Sequence, residues 1–166
     1  MNARHLLIGL LTCGACLGAQ AQQSLSDLVS EAKAGWMLGQ WEAPIDNGGT
    51  FALGISWELD KHVVVLHGKG GEMEFKGYSV LEPGGAEVKY FGFDNRGTVS
   101  KGVWGLEGDE LTLNIESQTA ERGTRKMAAS FTGNATDGLK MSLYQVGDLG
   151  GRVSPAAMTL NFKKQK

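Results

Sequence analysis

The sequence predicts an all-β protein: an antiparallel up-and-down meander of eight to ten strands closed into a barrel, with one short N-terminal helix. Three observations carry this. From Gly39 to Phe162 about ten short segments alternate apolar and polar residues. Nearly all are separated by Gly, Asn, Asp or Pro turns. Glycine is also about twice as frequent as the ordinary ~7%, while the chain has only three prolines, so the glycines serve turns, bulges and barrel corners rather than a disordered linker.

Residues 1–21 read as a signal peptide. Arg4 supplies the positive start, Leu6 to Leu11 the apolar stretch, and Ala19-Gln20-Ala21 the small-x-small cleavage site. That stretch is too short to span a bilayer, which takes roughly 20 residues. Cys13 and Cys16 raise a lipoprotein alternative, yet neither has both the leucine three before and the small residue one before that lipid attachment prefers. Cleavage after Ala21 would leave residues 22–166, which suit a single domain, in the periplasm or outside the cell. That mature chain has no cysteine, so core packing and strand pairing must hold it together. It carries 15 Lys and Arg against 18 Asp and Glu. No basic stripe overrides that balance, so nucleic acid is not an expected partner.

The elements follow in order. Ser26-Asp27 is the expected helix cap, with Leu28, Val29, Ala32 and Trp36 at helical spacing, and the helix is expected to close one end of the barrel. Strands are expected at Gly39–Ile45, Gly49–Leu59, His62–His67, Glu72–Leu81, Ala86–Phe93, Thr98–Leu106, Glu110–Gln118, Thr124–Thr132, Leu139–Val146 and Ala157–Phe162. Asp46 to Gly49, Gly70-Gly71, Pro83 to Gly85, Asp94 to Gly97 and Gly108-Asp109 offer the residues that hairpin turns demand. Gly147 to Pro155 is the one long irregular connection. Short connections join neighbours, so order in sequence becomes order around the sheet.

Alternation assigns the inward face. Phe51, Leu53, Ile55, Trp57 and Leu59 form one such row. Met73 and Phe75, Leu111 to Ile115, Leu139 to Leu143, and Met158 to Phe162 form others. In the third expected strand, Val63, Val65 and His67 share a face, which sets His67 inward near the barrel mouth. A membrane barrel would turn its apolar face to lipid between two aromatic girdles. The chain has no such girdles, so a membrane-spanning form is not expected.

Several motifs resemble those of bacterial exported lipocalin-like proteins of unknown function. They are the helix, Gly39-Gln40-Trp41, Ser56-Trp57-Glu58-Leu59-Asp60, and Tyr90-Phe91-Gly92-Phe93-Asp94 followed by Gly97-Thr98-Val99 and Val103-Trp104. They cover roughly Trp36 to Leu106. The resemblance implies a calycin-type barrel around a ligand cavity, with Trp41 packed across the base under the helix. It implies no reaction. Haem binders of that kind use a late histidine, and no histidine follows His67.

Catalytic groups are sparse, and no cofactor or metal set is expected. His62 and His67 lie five apart on one strand, on opposite faces, and so cannot jointly hold a metal. The pairs Glu58/Asp60, Glu72/Glu74 and Asp109/Glu110 fall at turns or on polar faces, as solvated charges do. Asp94-Asn95-Arg96-Gly97 lacks the ligand count of a calcium loop and reads as a turn. The aromatic and methionine residues are the better lead. Trp57, His67, Phe75, Tyr90, Trp104 and Met141 are the candidate lining of a cavity for a small apolar ligand. The same side chains could equally fill a small barrel. Two functions therefore stand side by side: a binder or carrier of a small apolar molecule in the cell envelope, and a non-enzymatic accessory or protein-interaction module with a filled barrel. A cavity above roughly 300 Å³ would favour the first.

Overall fold

The computed structural model describes residues 23–165 apart from 47, 86, 120–122, 135 and 137. The expected signal peptide, its two cysteines and the cleavage site lie outside the described residues. The chain forms a closed barrel of ten antiparallel strands in sequence order: β1 (Gly39–Pro44), β2 (Thr50–Glu58), β3 (Val63–Gly70), β4 (Met73–Leu81), β5 (Val88–Asp94), β6 (Val99–Glu107), β7 (Glu110–Thr119), β8 (Gly123–Asn134), β9 (Gly138–Gln145) and β10 (Met158–Lys164). Every strand anticipated from alternation is present. The barrel closes where β10 returns to β1, with Trp41 opposite Lys164 and Glu42 opposite Lys163. Beyond that pair the Gln165 amide still donates to the Gln40 carbonyl at 2.8 Å. Closure removes the exposed sheet edges that an open meander would leave.

The helix differs in detail from expectation. Its cap is Ser24, not Ser26. The Ser24 hydroxyl accepts from the Asp27 amide while the Asp27 carboxylate accepts from the Ser24 amide, a reciprocal capping box. The Ser24 hydroxyl, which donates to Asp27 Oδ2 at 2.6 Å, and then the Ser24 amide hold the Asp27 carboxyl below its ordinary pKa. The helix α1 (Leu25–Glu31) then stops, because Lys33 takes a left-handed conformation (φ 51°), and the chain resumes as a 3-10 turn over Ala34–Met37. Seven helical residues are too few to be stable alone, so α1 depends on docking its apolar side, with Leu25 buried, against the barrel.

Alternation held along most strands and failed at two places. Leu59 is not the last inward residue of β2. The strand ends at Glu58, and Leu59, Asp60 and Lys61 form a turn with left-handed φ angles of 48°, 50° and 67°, leaving Leu59 73% exposed. In β3 the inward row is Val64, Leu66 and Gly68. Pairing sets Val64 opposite Trp57 and Leu66 opposite Ile55. Val63-Val64-Val65-Leu66 has no polar residue to mark its phase, and a one-residue slip reverses every side chain.

Arg152, in the long connection between β9 and β10, lies across the outer face of the barrel. It donates to Thr112 Oγ1 at 2.6 Å, pairs with Glu107 and Glu110, and sits over the Tyr144 ring, 5.3 Å from its centroid. Thr112 points outward by register yet is buried under Arg152, and Ala128, Ser130 and Ser142 are likewise outward and buried.

Candidate functional site

The interior is divided between a packed region and a hollow one. In the packed region Phe51 meets Phe75 at 6.5 Å and Phe162 at 6.1 Å, the latter edge-on. Leu53, Leu139, Leu160 and Met141 belong to the same core. Tyr90 is buried there, and its ring occupies space left by Gly77 and Gly92, since a methyl group on either would overlap it. Burial pushes the Tyr90 hydroxyl up to a pKa of about 12.

The hollow region lies beneath α1. A cavity of about 260 Å³ is roofed by Leu25, Leu28 and Val29 of the helix, by Ala32 just after it and by Met37 of the 3-10 turn. Its floor and walls include Ile55, Val64, Leu66, Trp104 and Leu111. Leu106 faces inward by register but is 54% exposed, and its neighbours Gly105 and Val88 also line the space. The helix therefore leaves a gap over the β5–β6 rim through which the cavity meets solvent. The helix is thus a lid on one mouth of the barrel. Trp41 fastens it: its indole Nε1–H donates to the Met37 carbonyl at 2.7 Å, and its ring is 1% exposed in the core.

Among the described residues no charged side chain lines this cavity. Its polar side-chain groups are Ser79 Oγ and Trp104 Nε1, and the indole N–H donates to the serine oxygen at 2.8 Å. The Trp104 ring also packs on Phe131, with centroids 5.5 Å apart.

Of the residues anticipated as lining, Trp104 borders the cavity. Phe75, Tyr90 and Met141 point into the barrel but build its packed region. Trp57 stands on the inward row opposite Val64, half-buried and outside the lining of the cavity. His67 is a correction. It faces outward, where its Nε2 meets Glu74 Oε1 at 2.9 Å on the neighbouring strand. That bond, with Lys69 beside it, lowers the Glu74 pKa. The inward place beside it belongs to Gly68, where a side chain would collide with Phe75. Replacing either His62 or His67 with Ala should leave ligand binding unchanged and melting within about two degrees of wild type, as for other exposed groups. A larger change on thermal denaturation would place the residue in the core after all.

Ser79 was missed at the sequence level. The signal was available: extending the Met73, Phe75 row by twos reaches Gly77 and then Ser79, a hydroxyl on an otherwise apolar face. The helix-side leucines gave no comparable signal, because an amphipathic helix reads the same whether it covers a cavity or a filled core.

The turn at Asp94–Gly97 is confirmed as a hairpin device. Asp94 Oδ1 accepts from the Arg96 and Thr98 amides, and Asn95 reaches across to the β3–β4 turn through Glu72 and Glu74. Among the described residues no group of three His, Cys, Asp or Glu is placed to hold a metal ion. No described helix is long and apolar enough to cross a membrane. No protein-family profile and no curated protein matches the chain. The closed ten-stranded antiparallel barrel is consistent with a calycin-like fold.

Proposed function

We propose that this protein is an exported lipocalin-like barrel that binds a small apolar molecule in the cell envelope. The observation that carries the reading is the apolar cavity under α1, with a helix lid, an opening at Leu106 and a tryptophan in its wall. Its volume falls just below the usual lower bound of roughly 300 Å³ for ligand pockets, so the cargo is compact. Export rests on the character of residues 1–21, and the intact mass of the secreted protein tests it. A mass beginning at Gln22 supports the assignment, and an acylated cysteine overturns it.

Binding is tested with an apolar fluorescent probe. It should quench Trp104 and stabilise the fold by mass action, by about 2.7 kcal/mol at a hundredfold excess over Kd, so that the melting temperature rises. Val64→Phe extends a side chain into the cavity from its wall. It should weaken binding at least tenfold while melting holds or rises. Unchanged affinity in Val64→Phe would locate the probe elsewhere on the protein.

One feature favours the interaction-module alternative. Phe91, Phe93 and Val99 are adjacent by pairing on the outer face of β5 and β6, and Phe93 is 55% exposed. Clustered exposed aromatics of this kind are commonly covered by a partner. Phe91→Ser/Phe93→Ser leaves the cavity intact, so loss of function in that variant with binding retained would select this alternative.

A further inference from the structure

Building on the cavity reading above, we infer that the ligand is neutral, carries a single exposed hydrogen-bond acceptor, and is held through it by the Ser79 hydroxyl. Ser79 is 2% exposed and lines the cavity. Its oxygen accepts from Trp104 Nε1–H. An indole has one N–H, and that donor is spent on the serine. The serine keeps its own hydrogen, and among the described residues no acceptor takes it. The Trp104 bond fixes the oxygen and leaves the hydroxyl hydrogen free to turn toward the hollow. A buried donor with no acceptor is costly, so a ligand carbonyl or ether oxygen placed there removes a penalty that the empty protein carries.

The same lining excludes anionic cargo. A carboxylate in this space would lose its hydration, and among the described residues no lysine, arginine or histidine lines the cavity to replace it. A long-chain fatty acid is also too large to lie wholly within the cavity. An apolar cavity of roughly 150 Å³ accommodates benzene, so about 260 Å³ takes on the order of ten non-hydrogen atoms. The class that fits is a compact, largely apolar ketone, ester or lactone. The Trp104 indole, packed on Phe131, offers it a flat wall.

Three probes of nine non-hydrogen atoms each separate these terms: acetophenone, isopropylbenzene and benzoate. Calorimetric titration of the wild type should show acetophenone binding about fivefold tighter than isopropylbenzene, the advantage expected of one ordinary hydrogen bond. Benzoate should not bind at concentrations that saturate the protein with acetophenone. Trp104→Phe keeps the serine and should keep the fivefold ratio. Ser79→Ala alone frees the indole N–H, so the decisive variant is Ser79→Ala/Trp104→Phe, in which the ratio should fall below twofold. Reading a ratio cancels any change in cavity shape, since both neutral probes feel it. The anchor is overturned if the ratio is near one in the wild type, is lost in Trp104→Phe, or persists in the double variant. Benzoate binding as tightly as acetophenone overturns the neutral-ligand inference. If neither neutral probe binds, the cavity reading itself falls, a result distinct from two neutral probes that bind equally.

Discussion

Trp41→Ala should be the most damaging single truncation in the barrel, costing on the order of 3–5 kcal/mol. Two losses combine. A side chain that is 1% exposed leaves a void among Ala43, Leu53, Phe162 and their neighbours, and the Met37 carbonyl loses its donor. Since a domain of this size is stabilised by roughly 5–15 kcal/mol in all, melting should fall by about ten degrees or more. Trp41→Phe separates the terms, because it fills most of the space and removes only the N–H; its cost should be about 1–3 kcal/mol. The consequence reaches function through Met37, which Trp41 holds and which roofs the cavity. Both variants should therefore lose probe affinity beyond what their stability change explains. A Trp41→Ala protein that melts within two degrees of wild type would remove the fastening role assigned to this residue.

The fold was legible because three sequence features agree. Alternation set the inward rows, glycine-rich pairs set the turns, and short connections set the strand order. The phase of alternation was legible wherever polar residues interrupt the apolar ones, as in Leu111-Thr112-Leu113-Asn114-Ile115. It was lost in Val63 to Leu66, and with it the orientation of His67, because only pairing to β2 and β4 selects a face there. Trp104 was legible as a candidate lining only by its aromatic ring, and its inward place follows from its pairing with Leu113. The division of the interior was not legible. Whether Tyr90 lines a space or fills it depends on Gly77 and Gly92, which lie beside it on two strands and admit its ring. Such complementarity is a property of three residues in space and leaves no periodic trace. Ser79 sits between these cases, since its row was readable and its meaning was not until Trp104 was seen to donate to it.

The filled half of the barrel should announce itself at alkaline pH. Tyr90 is buried, and its hydroxyl pKa rises from 10.0 to about 12 through desolvation. In an unfolded chain the same hydroxyl ionises near pH 10, so between pH 10 and 12 the folded protein holds a proton that the unfolded chain has released. Stability then falls as pH rises. The contribution is fully present below about pH 10 and is lost as pH climbs through the folded value. Two units correspond to roughly 2–3 kcal/mol. Lysines also titrate in this range, including Lys89, whose pKa is raised mainly by its bond to Glu87. Comparison with Tyr90→Phe cancels those shared contributions. Urea denaturation from pH 8 to 11.5 should show the wild type losing stability relative to Tyr90→Phe, with the difference opening above pH 10. A difference that stays flat across that range would mean Tyr90 is reached by solvent. The packed half of the barrel would then be open as well, and the hollow space would extend far beyond the helix lid.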